Sequence, residues 1–316
     1  MTRALITGIS GQDGYYLATA LHERGIEVWG MTRTGELPAD LPFALPALPA
    51  DLSHGPAVTA AVAGCQPDLV FHLAAQTSVS ESWRDPARTA DLTGMGTARV
   101  LESVREHVPA ARVFVASSSE VFGVPHELPT DEHAPIQPIS PYGAAKAWGL
   151  HLGQAYRSGA GMFVCTGILF NHESPRRGPR FVSGKIISGA VSIARGEQRQ
   201  LVLGNVEARR DWAFAGDVAR AMIAMLEHGS PDDYVIATGE SHSISDWCER
   251  AFRSVGLDWR DHVQSDPALL RPGEAMEQRG NPARANERLG WQPETSFEGL
   301  VDMMIAAELT RREQRP

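Results

Sequence analysis

Lysine is almost absent from this sequence of 316 residues. Lys146 and Lys185 are the only lysines among 29 basic residues, so arginine carries nearly all of the positive charge. Arginine presents a planar fork of donors, whereas lysine presents a compact ammonium on a flexible stem. A lysine kept in such a sequence indicates a site that needs a single ammonium group, and both lysines fall in motifs described below.

Other scarce features exclude whole classes of protein. No apolar run approaches the roughly 20 residues that span a bilayer, and the N-terminal MTRALITG lacks a signal-peptide layout, so we expect a cytoplasmic protein without membrane segments. The 38 acidic and 29 basic residues give a net charge of −9, and without a basic run nucleic acid is excluded as a partner. The three cysteines lack the spacing of a metal site, which predicts buried free thiols: Cys65, Cys165 and Cys248.

Short apolar runs alternate with amphipathic stretches along the first half of the chain. The runs predict strands at Arg3–Thr7, Glu27–Met31, Leu69–Leu73, Arg112–Ala116 and Phe163–Ile168. The amphipathic stretches predict helices at Tyr15–Arg24, Thr97–Glu106 and Tyr142–Tyr156. Strands that alternate with helices are typical of parallel β-α-β units, so the sequence predicts an α/β fold with a doubly wound parallel sheet.

The character of the sequence changes near residue 170. A polar loop rich in Pro, Gly and Arg covers Asn171–Arg180, and Val235–Thr238 reads as a further parallel strand. We therefore expect a nucleotide-binding domain over residues 1–169, to which about 212–240 return, and a smaller interleaved α/β C-terminal lobe over 170–316. The proline-rich stretch Leu37–Asp51 is predicted to be a loop.

A glycine loop follows the first predicted strand. Gly8, Gly11 and Gly14 form a GxxGxxG pattern that also contains Gln12 and Asp13. Glycines allow the tight turn and let backbone N–H groups approach a pyrophosphate at the start of a helix. The spacing is typical of the Rossmann-like domains of short-chain dehydrogenases, so this loop predicts a dinucleotide site.

The end of the second strand selects the cofactor. An acidic residue there binds the ribose 2′-hydroxyl, whereas a basic residue pairs with a 2′-phosphate. Arg33 stands at this point, and no carboxylate occurs before Glu36, which favours NADP over the alternative, NAD. The other interpretation is that Arg33 is a solvated loop residue without a role in cofactor binding. Residues after later strands are expected beside the cofactor: Asp51, Leu52, Leu73, Ala74, Ala75 and Gln76.

A tyrosine and a lysine four residues apart carry the predicted chemistry. Tyr142 and Lys146 share one face of a predicted helix. A phenol with a pKa of about 10 is a poor base at neutral pH, but a nearby ammonium stabilises the phenolate. The same ammonium can bind the nicotinamide ribose, so the pair predicts a hydride-transfer site and involves one of the two lysines.

Two further polar residues follow the strand Arg112–Ala116. The hydroxyl of Ser118 can bind the substrate oxygen that Tyr142 deprotonates, and Glu120 lies where α/β sheets bind ligands. A simple reductase needs no carboxylate there, so Glu120 indicates a second proton transfer at carbon. A capping or loop carboxylate is the alternative interpretation. His72, inside an apolar strand, is predicted to be a hydrogen-bonded core histidine.

Several longer runs of residues resemble one family. These are Gly167–Gly178 (GILFNHESPRRG), Leu203–Asn205, Arg210–Trp212, Asp233–Gly239 and Arg271–Glu274. They are similar to the GDP-mannose 4,6-dehydratases, which are extended short-chain dehydrogenases, and the resemblance covers nearly the whole chain. It implies a homodimer or homotetramer.

The resemblance also implies a role for each matching position. Ser118, Glu120, Tyr142 and Lys146 would be the catalytic group, and His172 and Arg177 would approach the cofactor. The GDP-sugar would be held by a larger set, which includes the second lysine: Ser78, Asn171, Glu173, Lys185, Arg210, Arg271 and Glu274. Cations suit a diphosphate, and a carboxylate suits the guanine edge.

The implied reaction converts GDP-mannose to GDP-4-keto-6-deoxymannose by oxidation at C4, loss of water across C5 and C6, and return of the hydride. The alternatives are a dehydratase or epimerase of another GDP-sugar, such as a heptose, and an NDP-4-keto-6-deoxyhexose reductase. A regulatory protein that senses the cofactor would have lost the catalytic group, which is intact here.

The chain departs from the family pattern at four places. Ser118 stands where the family has Thr, Phe122 where it has Tyr, and Arg88 where it tends to have Tyr. The Arg/Ser-rich segment after the second strand is shortened and rewritten as Thr34–Ala50. In the family this segment helps build the cofactor site and the tetramer contact, so the resemblance does not carry the NADP preference or the oligomeric state over to these residues.

Overall fold

A computed structural model describes residues 1–269 and 273–314. The strands are β1 Arg3–Thr7, β2 Glu27–Thr32, β3 Ala47–Pro49, β4 Leu69–His72, β5 Arg112–Ala116, β6 Val164–Leu169, β7 Asn171–Glu173, β8 Leu201–Leu203, β9 Arg209–Arg210, β10 Trp212–Phe214, β11 Asp233–Ile236, β12 His242–Ser243, β13 Val263–Ser265 and β14 Glu277–Gln278. The helices are α1 Gln12–Glu23, α2 Gly55–Cys65, α3 Val79–Arg84, α4 Pro86–Thr89, α5 Gly96–His107, α6 Pro141–Ala160, α7 Val182–Ala194, α8 Ala215–Glu227, α9 Ile244–Ser254, α10 Ala283–Leu289 and α11 Phe297–Glu313.

Within the described residues, one sheet of seven parallel strands dominates the fold. The strand order is β11-β6-β5-β4-β1-β2-β3, so the chain winds outward from β1 in both directions. The prediction of a doubly wound parallel α/β sheet is confirmed. The returning strand is also present, but β11 begins at Asp233, two residues before the predicted start.

The proline-rich stretch is only partly a loop, which corrects the prediction. Ala47–Pro49 forms β3 and pairs with β2. β3 is the outermost strand of the sheet. Proline is tolerated at a sheet edge because its missing N–H faces away from the neighbouring strand. A three-residue edge strand with little alternation carries almost no pattern by which it could be predicted.

Apolar clusters cover both faces of the large sheet. One cluster joins Phe71 and Phe114 to α1 and α8, and the other joins the opposite face to α2 and α5. A third cluster forms around Trp247, between α7, α9 and α11. In residues 1–269 and 273–314, three small sheets lie outside the large one, with orders β10-β7, β12-β9-β14 and β13-β8. The division into domains near residue 169 stays a prediction.

Two predictions about polar residues in the interior are confirmed. Cys65, Cys165 and Cys248 are buried and free. His72 is buried, with Nδ1 2.9 Å from Thr7 Oγ1 and Nε2 3.1 Å from Thr97 Oγ1. Among the helices that the structure describes, none is both long and apolar enough to cross a bilayer.

Candidate active site

The glycine loop turns sharply between β1 and α1. Gly8 has a positive φ of 75°, and its N–H donates to the Met31 carbonyl over 3.1 Å. A Cβ at Gly8 would lie only 2.8 Å from the backbone nitrogen of Ala74. The loop therefore runs against the segment after β4, and no larger residue fits at this point. The start of α1 therefore faces the carboxyl edge of the sheet, which is where open α/β sheets bind ligands.

A buried hydroxyl ties these two backbone segments together. Thr7 Oγ1 accepts hydrogen bonds of 3.1 Å from the N–H groups of Leu73 and Ala74. Its own proton then goes to His72 Nδ1, and His72 Nε2–H donates to Thr97. Burial lowers the pKa of His72 to about 3, which keeps the ring neutral in this relay. Leu73 and Ala74, two of the residues predicted to border the cofactor, are thus held in place by hydrogen bonds to Thr7.

The glycine loop is also bonded to the segment after β6. His172 Nε2 lies 3.0 Å from Asp13 Oδ2, and His172 Nδ1 lies 2.7 Å from the Phe170 carbonyl oxygen. Both ring nitrogens face acceptors, so the imidazolium is the form that satisfies them. Burial opposes that charge, but Asp13 outweighs it and raises the pKa of His172. The predicted proximity of His172 to the loop is therefore present in the structure.

Gln12 makes the second cross-link. Its amide donates to the His172 carbonyl at 3.1 Å, and its Oε1 accepts from Ser174 Oγ at 2.7 Å. Two neighbouring residues of the loop, Gln12 and Asp13, thus hold the same short segment. This joins predicted cofactor residues that lie about 160 positions apart in sequence.

Arg177 lies beneath this network with its charge balanced by Glu173. Its Nε donates to Glu173 Oε2 at 2.5 Å, and a terminal nitrogen donates to the His172 carbonyl at 2.5 Å. Ser183 Oγ donates to the same carboxylate at 2.7 Å. Glu173 is 3% exposed, so what the structure shows for it is support of Arg177. Its substrate contact stays a prediction.

The strand β5 delivers Ser118 and Glu120 to the site. Ser118 is the N-cap of a 3-10 helix over Ser119–Phe122, and its Oγ accepts from the Glu120 N–H at 3.3 Å. This short turn places Glu120 next to Ser118, so the carboxylate and the hydroxyl lie on the same turn. Both side chains are half-buried at the carboxyl edge of the sheet.

Tyr142 and Lys146 stand in the first turns of α6. Ser140 caps this helix by accepting from the Gly143 N–H at 3.0 Å, and Pro141 occupies its first position. A Cβ at Gly143 would lie 2.6 Å from the Glu120 carbonyl oxygen, so the missing side chain lets the helix touch the turn that bears Glu120. The predicted catalytic group is thereby brought to one place.

The lysine is buried beside the tyrosine. Lys146 Nζ donates to the Ala116 carbonyl at 2.8 Å and lies 5.8 Å from the centre of the Tyr142 ring. Burial lowers the pKa of Lys146 to about 8, so the ammonium persists at neutral pH. The chain places this positive charge between the end of β5 and the phenol.

The phenol of Tyr142 is protonated in this environment. Burial raises its pKa above the ordinary value, and the charge of Glu120 raises it further. Hydrogen bonding with Ser118 and the charge of Arg177 both act to lower it. A base at this position needs added positive charge or a bound hydroxyl before it can lose its proton.

Arg33 and Asp51 follow the ends of the neighbouring strands β2 and β3. Arg33 is exposed, and its charge lowers the pKa of Asp51 after the hydrogen bonds from Ser53. Leu52 is buried and packs beneath this corner. The residues predicted for the adenosine half of a cofactor are therefore neighbours.

The residues predicted to hold a GDP-sugar are more dispersed. Arg210 donates to Glu274 Oε1 at 2.8 Å, which joins two of them in an ion pair that is mostly buried. Lys185 Nζ donates to the Val202 carbonyl at 2.6 Å, and Ser78 caps α3. Asn171 is half-buried in β7. Arg271 lies outside the described residues.

The sequence analysis did not identify three residues whose hydrogen bonds support the site, and these are Thr7, Ser140 and Ser174. Thr7 had a signal, since it is a hydroxyl residue at the last position of an apolar strand, directly before the glycine loop. Ser140 had one as well, because Ser followed by Pro at the start of a helical pattern is typical of an N-cap. Ser174 had none, since its partner Gln12 is distant in sequence.

The fold and site together define a class. A seven-stranded parallel sheet, a GxxGxxG loop and a Tyr-x3-Lys pair beside a serine are the features of an extended short-chain dehydrogenase. Solved structures agree with this class. The chain is 26% identical to Thermus thermophilus UDP-glucose 4-epimerase in complex with NAD, with a TM-score of 0.87 over 98% of this chain and 99% of that one. It is also 26% identical to RMD from Pseudomonas aeruginosa complexed with NADPH, with a TM-score of 0.84 over 98% and 100%.

Sequence comparison narrows the class to one family. The family model described as GDP-mannose 4,6 dehydratase matches residues 5–304. GDP-mannose 4,6 dehydratase 1 of Arabidopsis thaliana is 43% identical over 98% of this chain and 91% of the relative. The chain belongs to the GDP-mannose 4,6-dehydratase family, as the resemblance in its sequence implied.

Proposed function

We propose that the protein dehydrates GDP-mannose to GDP-4-keto-6-deoxymannose. The observation that carries this proposal is the carboxylate of Glu120 beside the Ser118, Tyr142 and Lys146 group. Oxidation or reduction of a hydroxyl alone would need no second acid–base residue at this point. Family membership points to the same activity.

A nicotinamide dinucleotide fits the residues present. The close approach of Gly8 to Ala74 leaves no room for a side chain where the pyrophosphate would lie, and the start of α1 offers backbone N–H groups. Gln12, Gly11 and Gly14 would complete this half of the site. Arg33 supports NADP over NAD, because a guanidinium suits a 2′-phosphate. When bound at these residues, a nicotinamide cofactor would supply reversible hydride transfer to and from the sugar.

Tyr142 is proposed as the base for the 4-hydroxyl. Burial raises the pKa of Tyr142, and the charge of Arg177 acts to lower it. The ammonium of Lys146 is proposed to add to the stabilisation of the phenolate, since a nearby positive charge favours the ionised phenol. Ser118 would donate to the same sugar oxygen and hold it against the phenol. The proton that leaves the 4-hydroxyl is then taken by Tyr142.

Glu120 is proposed to act next, on the carbon beside the new ketone. The ketone at C4 acidifies the C5–H, and the Glu120 carboxylate removes that proton. The C6 hydroxyl leaves as water by taking up the proton that Glu120 removed from C5. A hydride then reaches C6 and a proton reaches C5, so the proton taken from the 4-hydroxyl balances the one returned to the sugar. The product has lost one water with no net redox change.

The GDP part of the substrate is proposed to bind along the smaller lobe. The ion pair of Arg210 with Glu274 supports this, since it presents a cation and a carboxylate side by side, as a diphosphate and a guanine edge require. Lys185 would add a second cation, and Arg271, Ser78 and Asn171 complete the proposed contacts. A homodimer or homotetramer is the assembly that we infer from the family.

The direct test is to incubate the purified protein with GDP-mannose and no added reductant. Mass spectrometry is expected to show the loss of one water, roughly 18 mass units, without net change in NADPH. A reaction that appears only with a 4-keto sugar and added NADPH would make the protein a reductase. No reaction with GDP-mannose, but turnover of another GDP-sugar, would move the proposal to that sugar.

A Glu120→Gln variant separates the two proton transfers. It keeps the size and hydrogen bonding of the side chain but removes the base. We expect solvent deuterium incorporation at C5 and water loss to fall together by about 10²–10⁴-fold. Water loss at the normal rate in this variant would remove Glu120 from the mechanism.

A further inference from the structure

The last turns of α11 contain a buried glutamate that binds two arginines. Glu308 is 6% exposed, and its carboxylate pairs with both Arg311 and Arg312. We propose that Arg311 is a positioning residue for the cofactor site, which acts by fixing the turn of residues 174–177 beside the glycine loop. This inference rests on the proposed dinucleotide site and names a residue beyond positions 5–304, the range that the family model matches.

The turn of residues 174–177 follows β7 directly. The Arg177 N–H donates to the Ser174 carbonyl at 2.9 Å, and Pro175 occupies the second position, where its fixed φ suits a β-turn. This hydrogen bond does not use the Pro175 carbonyl. Instead, a terminal nitrogen of Arg311 donates to that carbonyl at 2.8 Å. The C-terminal helix therefore holds the central peptide of the turn.

The residues on either side of Pro175 are in contact with α1. Ser174 is fully buried, and its Oγ donates to Gln12 Oε1 at 2.7 Å. The guanidinium of Arg176 lies 4.0 Å from the centre of the Tyr15 ring. Because neighbouring residues share one backbone, a rotation of the Pro175 peptide would disturb both contacts. Arg311 is thus linked to the glycine loop through a single turn.

The helix that carries Arg311 is a firm support for this contact. Its apolar side is buried in the third cluster, through Leu300, Val301, Met304 and Ile305. α11 also packs against β10, and β10 pairs with β7, from which the turn emerges. A carboxylate as buried as that of Glu308 requires cationic partners. Its pair with Arg311 therefore orients the guanidinium on a helix that is itself fixed.

Arg312 shares the carboxylate but supports a different element. Its Nε donates to Glu308 Oε1 at 2.8 Å. A terminal nitrogen donates to two serines of α7, Ser188 at 3.1 Å and Ser192 at 3.2 Å. Its side chain is 22% exposed, against 48% for Arg311. The stability of the fold should therefore depend more on Arg312, whereas cofactor binding should depend on Arg311.

The test compares Arg311→Ala with Arg312→Ala in the full-length, nucleotide-free protein. Titration calorimetry gives the dissociation constant of NADP or NAD, whichever the wild type binds more tightly, and urea unfolding gives the stability. We expect Arg311→Ala to weaken cofactor binding by about 3- to 10-fold, as for the loss of one partly exposed hydrogen bond, and Arg312→Ala to weaken it by less than about twofold. The urea midpoint should fall further in Arg312→Ala, so the two variants should rank in opposite orders.

Steady-state kinetics with GDP-mannose add a readout that a loss of stability alone would not give. The cofactor concentration for half-maximal activity should rise in Arg311→Ala, while kcat at saturating cofactor stays within about twofold, because Arg177 keeps its pair with Glu173. Arg311→Lys retains one donor and should recover part of the affinity. Arg253→Ala removes an exposed arginine that pairs with Glu249 on α9, and it should leave both quantities unchanged.

The outcomes separate this inference from the proposals on which it rests. Equal weakening by the two alanine variants, or weaker binding in Arg312→Ala, would show that affinity follows stability and would overturn the role of Arg311. Unchanged affinity in Arg311→Ala would overturn it as well, because the turn would then be held without the arginine. A wild type that binds neither dinucleotide would overturn the cofactor site and this inference together. Failure to dehydrate GDP-mannose, with the expected binding results, would overturn the proposed activity and still support the role of Arg311.

Discussion

The two halves of the proposed cofactor site are held in opposite ways. At the pyrophosphate half, Asp13 and Gln12 are bonded to His172 and Ser174 in a half-buried network. At the adenosine half, the segment of residues 34–46 lies on the outside of the sheet. Asp40 makes two hydrogen bonds to Arg176, which also lies 4.0 Å above the Tyr15 ring.

The outer segment adds mainly apolar contacts. Phe43 stacks on His22 with the ring centres 3.9 Å apart. The apolar residues of the segment pack on the cluster that includes α1, and they are Leu37, Leu41, Phe43 and Leu45. Apolar packing tolerates many combinations of side chains of similar volume, whereas a buried polar network fails if one partner is lost. The shortened segment, residues 34–50, therefore lies in a part of the fold that tolerates changes of sequence.

The largest expected effect lies on the buried side, at Tyr142. Tyr142→Phe removes the proposed base and should lower turnover by about 10²–10⁴-fold, with NADP affinity changed by little. Product formation by mass spectrometry and cofactor titration measure the two quantities. Tyr156→Phe is the matched control, because Tyr156 stands on the same helix but donates to Glu102 at 2.8 Å, away from the site. Equal losses in both variants would point to a disturbed helix α6.

Breaking the Arg177 pair should be the next largest change. Glu173→Ala leaves a buried guanidinium without its carboxylate, which is expected to lower the free energy of unfolding by about 3–5 kcal/mol. Urea unfolding monitored by fluorescence gives this value. Glu249→Ala is the control, since Glu249 pairs with Arg253 and Arg260 on the surface and should cost about 1 kcal/mol or less. Similar values for the two variants would contradict the contrast between buried and exposed contacts.

His172 predicts a pH dependence of a definite sign. Its pKa is raised in the fold, so its contribution to stability is complete below about pH 6.5, the unfolded value, and is lost as pH rises through the folded pKa. The imidazolium also cancels the charge of Asp13 beside the pyrophosphate, so NADP affinity should fall over the same window. Titrations from pH 6 to 9 on the wild type and on His172→Gln measure both effects. A wild-type profile as flat as that of the variant would show that His172 is neutral throughout.

The smallest effect is expected in the outer segment. Asp40→Asn removes the ion pair with Arg176, which is solvent-exposed on the Asp40 side. The loss of unfolding free energy should be about 1 kcal/mol or less, because the apolar contacts of the segment remain. Thermal unfolding checks this value, with Glu173→Ala as the reference. A loss as large as that of Glu173→Ala would mean that the segment is held as rigidly as the buried network.

Most of the large sheet could be predicted because its signals are local. β1 and β5 match the predicted ranges, β2 and β4 differ by one residue at one end, and β6 is shifted by one residue at both ends. Apolar runs flanked by glycine or polar residues can be recognised as strands without knowledge of the tertiary structure. β3 is the exception. Its three residues, one of them proline, are too few to show an alternating pattern, and they form a strand only because they pair with β2.

That the proposed catalytic residues lie together was also predictable, but the shifts of their pKa values were not. Strand order in a parallel sheet puts Ser118 and Glu120 near the start of α6 whatever the surrounding residues are. The raised pKa of Tyr142 and the lowered pKa of Lys146 come from burial, which depends on elements contributed by the whole chain.

The sequence by itself determined the α/β class, the dinucleotide loop, the Tyr142–Lys146 pair and the family, because each rests on residues close together in the chain. Only the tertiary structure decided that Asp13 meets His172 and that Gln12 meets Ser174. These pairs join segments up to about 160 residues apart. The physical reason is that packing of the sheet and helices, rather than local propensity, sets which distant side chains share a low-dielectric environment and must therefore satisfy one another.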